Sequence, residues 1–243
     1  MSMGITTAAR LAGRLRWALL AAVALDLVLI SGRVALYAQL LAQSGAVTYV
    51  LEPVIMLAVY GGIVVWATAS PTARHATALR IGLVVGLITG ALWIIDLALE
   101  TFAELSGGAS LLASAPFLLG GFALWGVAGL LAAWCTGSAS LAALAAMWSA
   151  MICVLLTVTF GWLLTYAALP RLASILVNDP DFLRSGWHDL RAFAIANSFD
   201  AGFSHLLGGL IIGAIVGAIG GWIGLLGRGW QGRRADAQPS DAR

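Results

Sequence analysis

"HLLGGLIIGAIVGAIGGWIGLLG", residues 205–227, places eight glycines in twenty-three residues, and from Leu206 to Leu226 it has neither a hydroxyl nor a charge. In water such a run would make a poor helix, because each interior glycine costs about 0.5–1 kcal/mol relative to alanine. In a bilayer the backbone has no other hydrogen-bond partners, so the stretch is helical despite its glycines. Gly209, Gly213, Gly217 and Gly221 recur every four residues. At 3.6 residues per turn that series drifts by ~40° per step and draws a slanted stripe without side chains. Such a stripe lets a second helix approach closely. The segment therefore reads as a packing seam and not as a pore wall. Its expected internal partner is a second glycine series, Gly82, Gly86 and Gly90.

The rest of the chain has the same character. Of 243 residues, 61% are hydrophobic and 10% are charged, against about 45–50% and about 25% in soluble domains. A bilayer crossing needs ~20 apolar residues, and six runs qualify: 17–41, 46–69, 79–103, 110–134, 141–169 and 205–227. The expected fold is an all-α polytopic bundle of six transmembrane helices, both termini inside, with a short helical segment on the outer face before the last span. Residues 1–16 read as a basic cytoplasmic arm, 17–227 as the membrane domain and 228–243 as a disordered tail. Within the domain, 171–204 is the one sizeable extramembrane piece, where Ser185 is placed to cap a helix starting at Gly186.

All thirteen basic residues are arginine; no local chemistry demands this, and it reads as a coding bias. Arg10, Arg14, Arg16, Arg74, Arg80, Arg228, Arg233, Arg234 and Arg243 fall on one side of a six-span chain, so the positive-inside rule puts both termini in the cytoplasm of a cell-membrane protein. Trp17, Trp66, Trp134, Trp222 and Trp230 fall near the same ends, where indoles prefer to sit. Asp26 and Arg33 within the first run argue against a cleaved leader. Cys135 and Cys153 fit neither a disulfide framework nor a metal motif.

Ionisable side chains within apolar spans are costly and face the bundle interior. Five form the candidate site: Asp26, Arg33, Glu52, Asp96 and Glu100. Counted from the centre of the first hairpin, Arg33 and Glu52 reach the same depth on adjacent antiparallel helices, and Asp96 reaches a similar level on the third. Glu100 and Glu104 continue the Asp96 stripe. One reading is an ion pair of Arg33 with Glu52 or Asp96 that fastens three helices together. Yet four acids face one base, and surplus carboxylates call for a cation, a proton path or water. That predicts an outward-open acidic vestibule formed by Glu52, Asp96 and Glu100.

Two functions fit: a small permease, or membrane subunit of a transporter, using that site; and a non-catalytic assembly, scaffold or sensor subunit packing through its glycine faces. The expected partners are the lipid bilayer and either a partner subunit or a second copy, with no nucleic acid and no cofactor. The formal G-x-G-x-x-G match at Gly227, Gly229 and Gly232 has no predicted strand before it and no predicted helix after it, so it is not read as a nucleotide fingerprint, and no P-loop, serine-hydrolase or zinc-protease motif is present. His188, Asp189, Asp200 and His205 are metal-ligand types, but their spacing matches no ligand pattern, so no metal is assigned. Finally, "GLVVGLITGAL" (82–92) and "GLIIGAIVGAI" (209–219) agree at six of eleven positions. Shared packing chemistry explains this better than duplication.

Overall fold

The computed structural model describes residues 2–69, 72–103 and 108–236. Among them there is no strand. The helices are α1 (Ser2–Leu36), α2 (Ala46–Ala67), α3 (Ala73–Phe102), α4 (Gly108–Thr136), α5 (Ala139–Ala167), α6 (Leu169–Ile175), α7 (Pro180–Ser185) and α8 (Leu190–Asp236), with a 3₁₀ turn at Ala38–Ala42. Six are long and apolar enough to cross a membrane: α1 to α5 and α8. The chain is a multi-pass membrane protein.

Helix boundaries follow local chemistry. Thr72 accepts from the His75 N–H to start α3, and Ser138 accepts from Leu141 N–H to start α5, the usual hydroxyl caps. Gly137, just before that cap, has φ 69°, a left-handed turn between α4 and α5. At the opposite kind of end, arginines meet helix carbonyls. Arg16 binds Thr68 through both its hydroxyl and its carbonyl, each at 2.8 Å, at the close of α2. Arg228 donates to Trp134 O near the end of α4, and Arg171 donates to Thr101 O near the end of α3. Cations at helix C-termini satisfy free carbonyls and oppose the dipole.

The helix α5 is the centre. It is buried over 78% of its apolar window, each of the other five spans over 33%. One side of α5 is a line of small residues, Ala142, Ala146 and Ala150, ending at Val154; another is Ala145, Ser149 and Cys153. Both glycine series lie on it. A Cβ added at Gly82 would stand 2.5 Å from Ala145 O, one at Gly86 2.7 Å from Ser149 O, and one at Gly90 3.3 Å from Cys153 Cα. Both helices advance together, so α3 runs parallel to α5. From α8, a Cβ at Gly209 would meet Val154, at Gly213 Ala150, at Gly217 Ala146 and at Gly221 Ala142. Here one helix descends as the other rises, so α8 runs antiparallel. The two glycine series therefore do not pair with each other, as the spacing alone suggested. They bind different sides of α5, whose own small side chains complete both seams. A second face of α8 meets α4: Gly220 abuts Gly126 O, and a Cβ at Gly224 would lie 2.7 Å from Leu130 O.

Three other expectations change. The arm 1–16 is helical from Ser2, continuous with the first span. The tail is helical through Asp236, so its first half is not disordered, and 237–243 lie outside the described residues. The helix expected from Gly186 does not start there. Gly186 closes α7 with φ 72°. Asp189 caps the next helix, its Oδ1 accepting from Arg191 and Ala192 N–H. That helix, α8, then runs unbroken for 47 residues, roughly 70 Å at 1.5 Å per residue. Its first turns bury Phe193 against Phe182 of α7 and Trp187, and Phe199 against Trp162 of α5, and α6, α7 and the 3₁₀ turn form a small helical cap at this end of the bundle.

Candidate functional site

The five intramembrane charges divide into two places. Asp26 and Arg33 lie on the seam between α1 and α5. Asp26 is fully buried, and its Oδ1 accepts from Thr159 Oγ1 at 2.7 Å; its Oδ2 has no partner among the described residues. Seven residues along each helix, the Arg33 guanidinium lies 5.2 Å from the centroid of the Tyr166 ring. The Tyr166 hydroxyl donates to Leu29 O at 2.5 Å, close over Gly32, where a Cβ would stand 2.9 Å from that hydroxyl. Arginine over an aromatic face is a favourable pairing. It replaces the expected ion pair: among the described residues Arg33 makes no salt bridge to Glu52 or Asp96. Spacing along the chain does not carry the direction in which a side chain points. The packing of α1 on α5 turns Arg33 towards Tyr166.

Glu52 is half-buried on α2 and makes no hydrogen bond or ion pair among the described residues. It is absent from the cleft that holds Asp96 and Glu100, so the three-acid vestibule is not formed as drawn. Glu104 lies outside the described residues.

The second place is a cleft of 310 Å³ between α3, α4, α5 and the first half of α8, near the helical cap. Asp96 and Glu100 line it from α3, one turn apart, and Asn197, Ser198 and His205 line it from α8. Ser114 of α4 donates to Glu100 Oε1 at 2.8 Å and also neighbours Asp96. His205 is held by a 2.7 Å contact of Nδ1 with Ala201 O. A carbonyl can only accept, so Nδ1 carries a hydrogen, and Nε2 is the ring nitrogen outside that bond. The imidazole stands edge-on to Trp93 at 6.0 Å, and Trp93 leads into an aromatic group with Phe122 and Trp125. Trp162 closes another part of the wall, its Nε1 donating to Ser198 O at 3.1 Å.

The four metal-ligand types near the cap do not converge. Among the described residues no three His, Cys, Asp or Glu side chains are grouped to hold a metal ion. Asp189 is engaged elsewhere, accepting from Tyr37 Oη at 2.6 Å while it caps α8. His205 faces Trp93 in the cleft. Sequence reasoning missed Thr159, Tyr166 and the contribution of α8 to the acidic site. Asn197 was the one visible signal, a polar residue interrupting an apolar helical stripe.

The residues assigned to helix packing, Gly82, Gly86, Gly90, Gly209, Gly213, Gly217 and Gly221, all face α5. They are used inside this chain and offer no glycine face to a partner.

Fold and site together define a polytopic α-helical membrane protein with an acidic cleft among its spans. No protein family, no curated protein and no solved structure matches the chain.

Proposed function

We propose that the protein is a small permease, or the membrane subunit of a transporter, and that the Asp96–Glu100 cleft is where it receives a cationic solute. One observation supports this above the others: two carboxylates line an open cleft whose wall contains no arginine, in a chain without lysine. Carboxylates within a span need a counter-charge. Among the described residues the wall offers no arginine, only the His205 imidazole, so in this reading the solute brings the charge. Both termini are cytoplasmic in this reading, from the placement of nine arginines and five tryptophans at one end. The cleft, near the other end, then opens outward. The chain has no ATP-binding motif, so an ATP-driven version acts with a separate ATPase.

The scaffold alternative relied on free glycine faces, and those are occupied by α5. Proteoliposomes test the proposal. Uptake of a cationic solute or of protons, followed with internal dyes, should be supported by the wild type and fall sharply in Asp96→Asn and Glu100→Gln. Equal flux in wild type and both variants would sink it.

A further inference from the structure

We infer that the cleft takes an organic ammonium group, carried on an apolar substituent, and not a bare metal ion. This rests on the reading of the cleft as a cation site and names its ligand. The Asp96 and Glu100 carboxylates are the strongest acceptors in the wall. Glu100 already receives one hydrogen bond from Ser114 and keeps its other oxygen. His205 lines the same wall with its Nδ1 committed to Ala201 O. The Ser198 hydroxyl is buried with no partner among the described residues, and Ser198 belongs to the same wall. An ammonium brings up to three N–H donors and one positive charge, which is what such a wall lacks.

A metal ion matches less well. Three or more ligands must meet within about 2.0–2.6 Å of one point, and no such group exists among the described residues. The remainder of the wall is also wrong for a hydrated ion. Trp93, Trp162, Leu97, Leu118, Val158 and Leu172 give the cleft a mostly apolar surface. Its 310 Å³ falls at the small end of ligand sites, about 300–1,000 Å³. That volume holds a charged head with a short hydrocarbon or aromatic group, and indoles attract cations that come within ~6 Å of their faces. The same head group exists on free amines and on the ethanolamine headgroup of a phospholipid.

Ligand-induced stabilisation separates these cases, with benzylammonium as the probe and benzyl alcohol as its neutral control. The purified protein, in a detergent without an amine, is melted while intrinsic fluorescence is followed. Benzylammonium should raise the midpoint in a saturable way and benzyl alcohol should not. Glu100→Gln, at an exposed position, and Asp96→Asn should each weaken benzylammonium by about tenfold or more, the scale of a charged hydrogen bond. Equal effects of the two probes would overturn the inference, even where a variant fails to fold. So would unchanged affinity in both folded variants, or protection by Mn²⁺ in place of the amine.

Nanodiscs identify the source. Weaker apparent benzylammonium affinity in phosphatidylethanolamine–phosphatidylglycerol discs than in pure phosphatidylglycerol assigns the cleft to a lipid headgroup. Equal affinity assigns it to a solute. Either result upholds ammonium recognition. Flux in proteoliposomes keeps the two readings apart. Glu100-dependent flux of inorganic cations without benzylammonium binding retains transport and rejects this ligand. Benzylammonium binding without flux does the reverse.

Discussion

Thr159 on α5 donates its hydroxyl to Asp26 on α1 at 2.7 Å, and it is the single hydrogen-bond partner of that buried carboxyl among the described residues. The contact crosses 133 residues of sequence. It sits on two parallel helices held in register, since the next meeting, Arg33 with Tyr166, is seven residues along on both. Removing the donor leaves a buried acceptor with nothing to bind, which costs about 1–3 kcal/mol. Thr159→Val should therefore destabilise the bundle by that amount. Asp26→Asn should cost much less, because the amide oxygen still accepts from Thr159 and a buried charge is no longer required. Equilibrium unfolding in mixed micelles, run as a double-mutant cycle of Thr159→Val with Asp26→Ala, which removes the acceptor altogether, should show strong coupling between the sites. Additive effects would mean the hydrogen bond contributes nothing.

Arg33 gives a contrast between partners. Tyr166→Leu removes the ring under the guanidinium and the hydroxyl bound to Leu29 O, and should destabilise by about 1–2 kcal/mol. Tyr166→Phe keeps the ring and should recover part of the loss. Glu52→Gln should leave stability within about 0.5 kcal/mol of wild type, as a substitution without a partner does. Should Glu52→Gln prove the more harmful of these, the ion pair first expected from helix depth would have to be restored.

That case marks the boundary of what sequence carries here. Length and apolarity are properties of a segment, so the six spans were legible, to within a few residues for α2, α4 and α5. Two ends were not. The first span stops at Leu36 instead of 41 because a 3₁₀ turn takes over. The last begins at Leu190 instead of 205, because Asp189 caps it there and protein buries Phe193, Ile195 and Phe199 in its first turns. Charges within the spans were legible as a set, but their division into two places was not. Which way Arg33 points is decided by Tyr166, and no spacing near residue 33 records it. The glycine series announced close packing without naming the partner. Ala142, Ala146 and Ala150 are ordinary residues in an apolar alphabet, and only the fold shows that two glycine stripes share them. The likeness between residues 82–92 and 209–219 then has a physical cause: both stripes fit small-residue sides of one helix.

The α5–α8 seam can be tested by size. A Cβ at Gly213 would stand 2.5 Å from Ala150 Cβ, so the helices must separate to admit it. Gly213→Ala should destabilise by about 1–3 kcal/mol, the usual cost of overpacking. Ala150→Gly in the same chain should return much of that, since it removes the atom in the way. Gly208→Ala is the control: its nearest neighbour would be 4.0 Å away, and alanine there should be neutral or slightly stabilising. Thermal melts of the four proteins decide it. A Gly213→Ala protein as stable as wild type would remove this seam from the structure.

The cap should respond to pH through Tyr37 and Asp189. Burial alone would raise the Asp189 carboxyl. Hydrogen bonds from Tyr37 and from the Ala192 and Arg191 backbone, with the Arg191 charge nearby, outweigh it and hold the carboxyl below its usual range. A depressed carboxyl adds stability above its unfolded value, about 3.9, and loses it as pH falls through the folded value. Tyr37→Phe should therefore cost about 1 kcal/mol at neutral pH, with the gap to wild type narrowing below about pH 3, because a neutral acid accepts more weakly than a carboxylate. The alkaline side has the opposite sign. Burial first, and then the bond to Asp189, raise the Tyr37 phenol, so its contribution is present below about pH 10 and is lost as pH rises through the folded value. Asp189→Asn can still accept from Tyr37 and still cap α8, and should flatten the acid limb while sparing neutral stability. Unfolding midpoints of the three proteins across pH carry the decision: a Tyr37→Phe deficit as large at about pH 2 as at pH 7 would mean that the carboxylate charge plays no part in the contact.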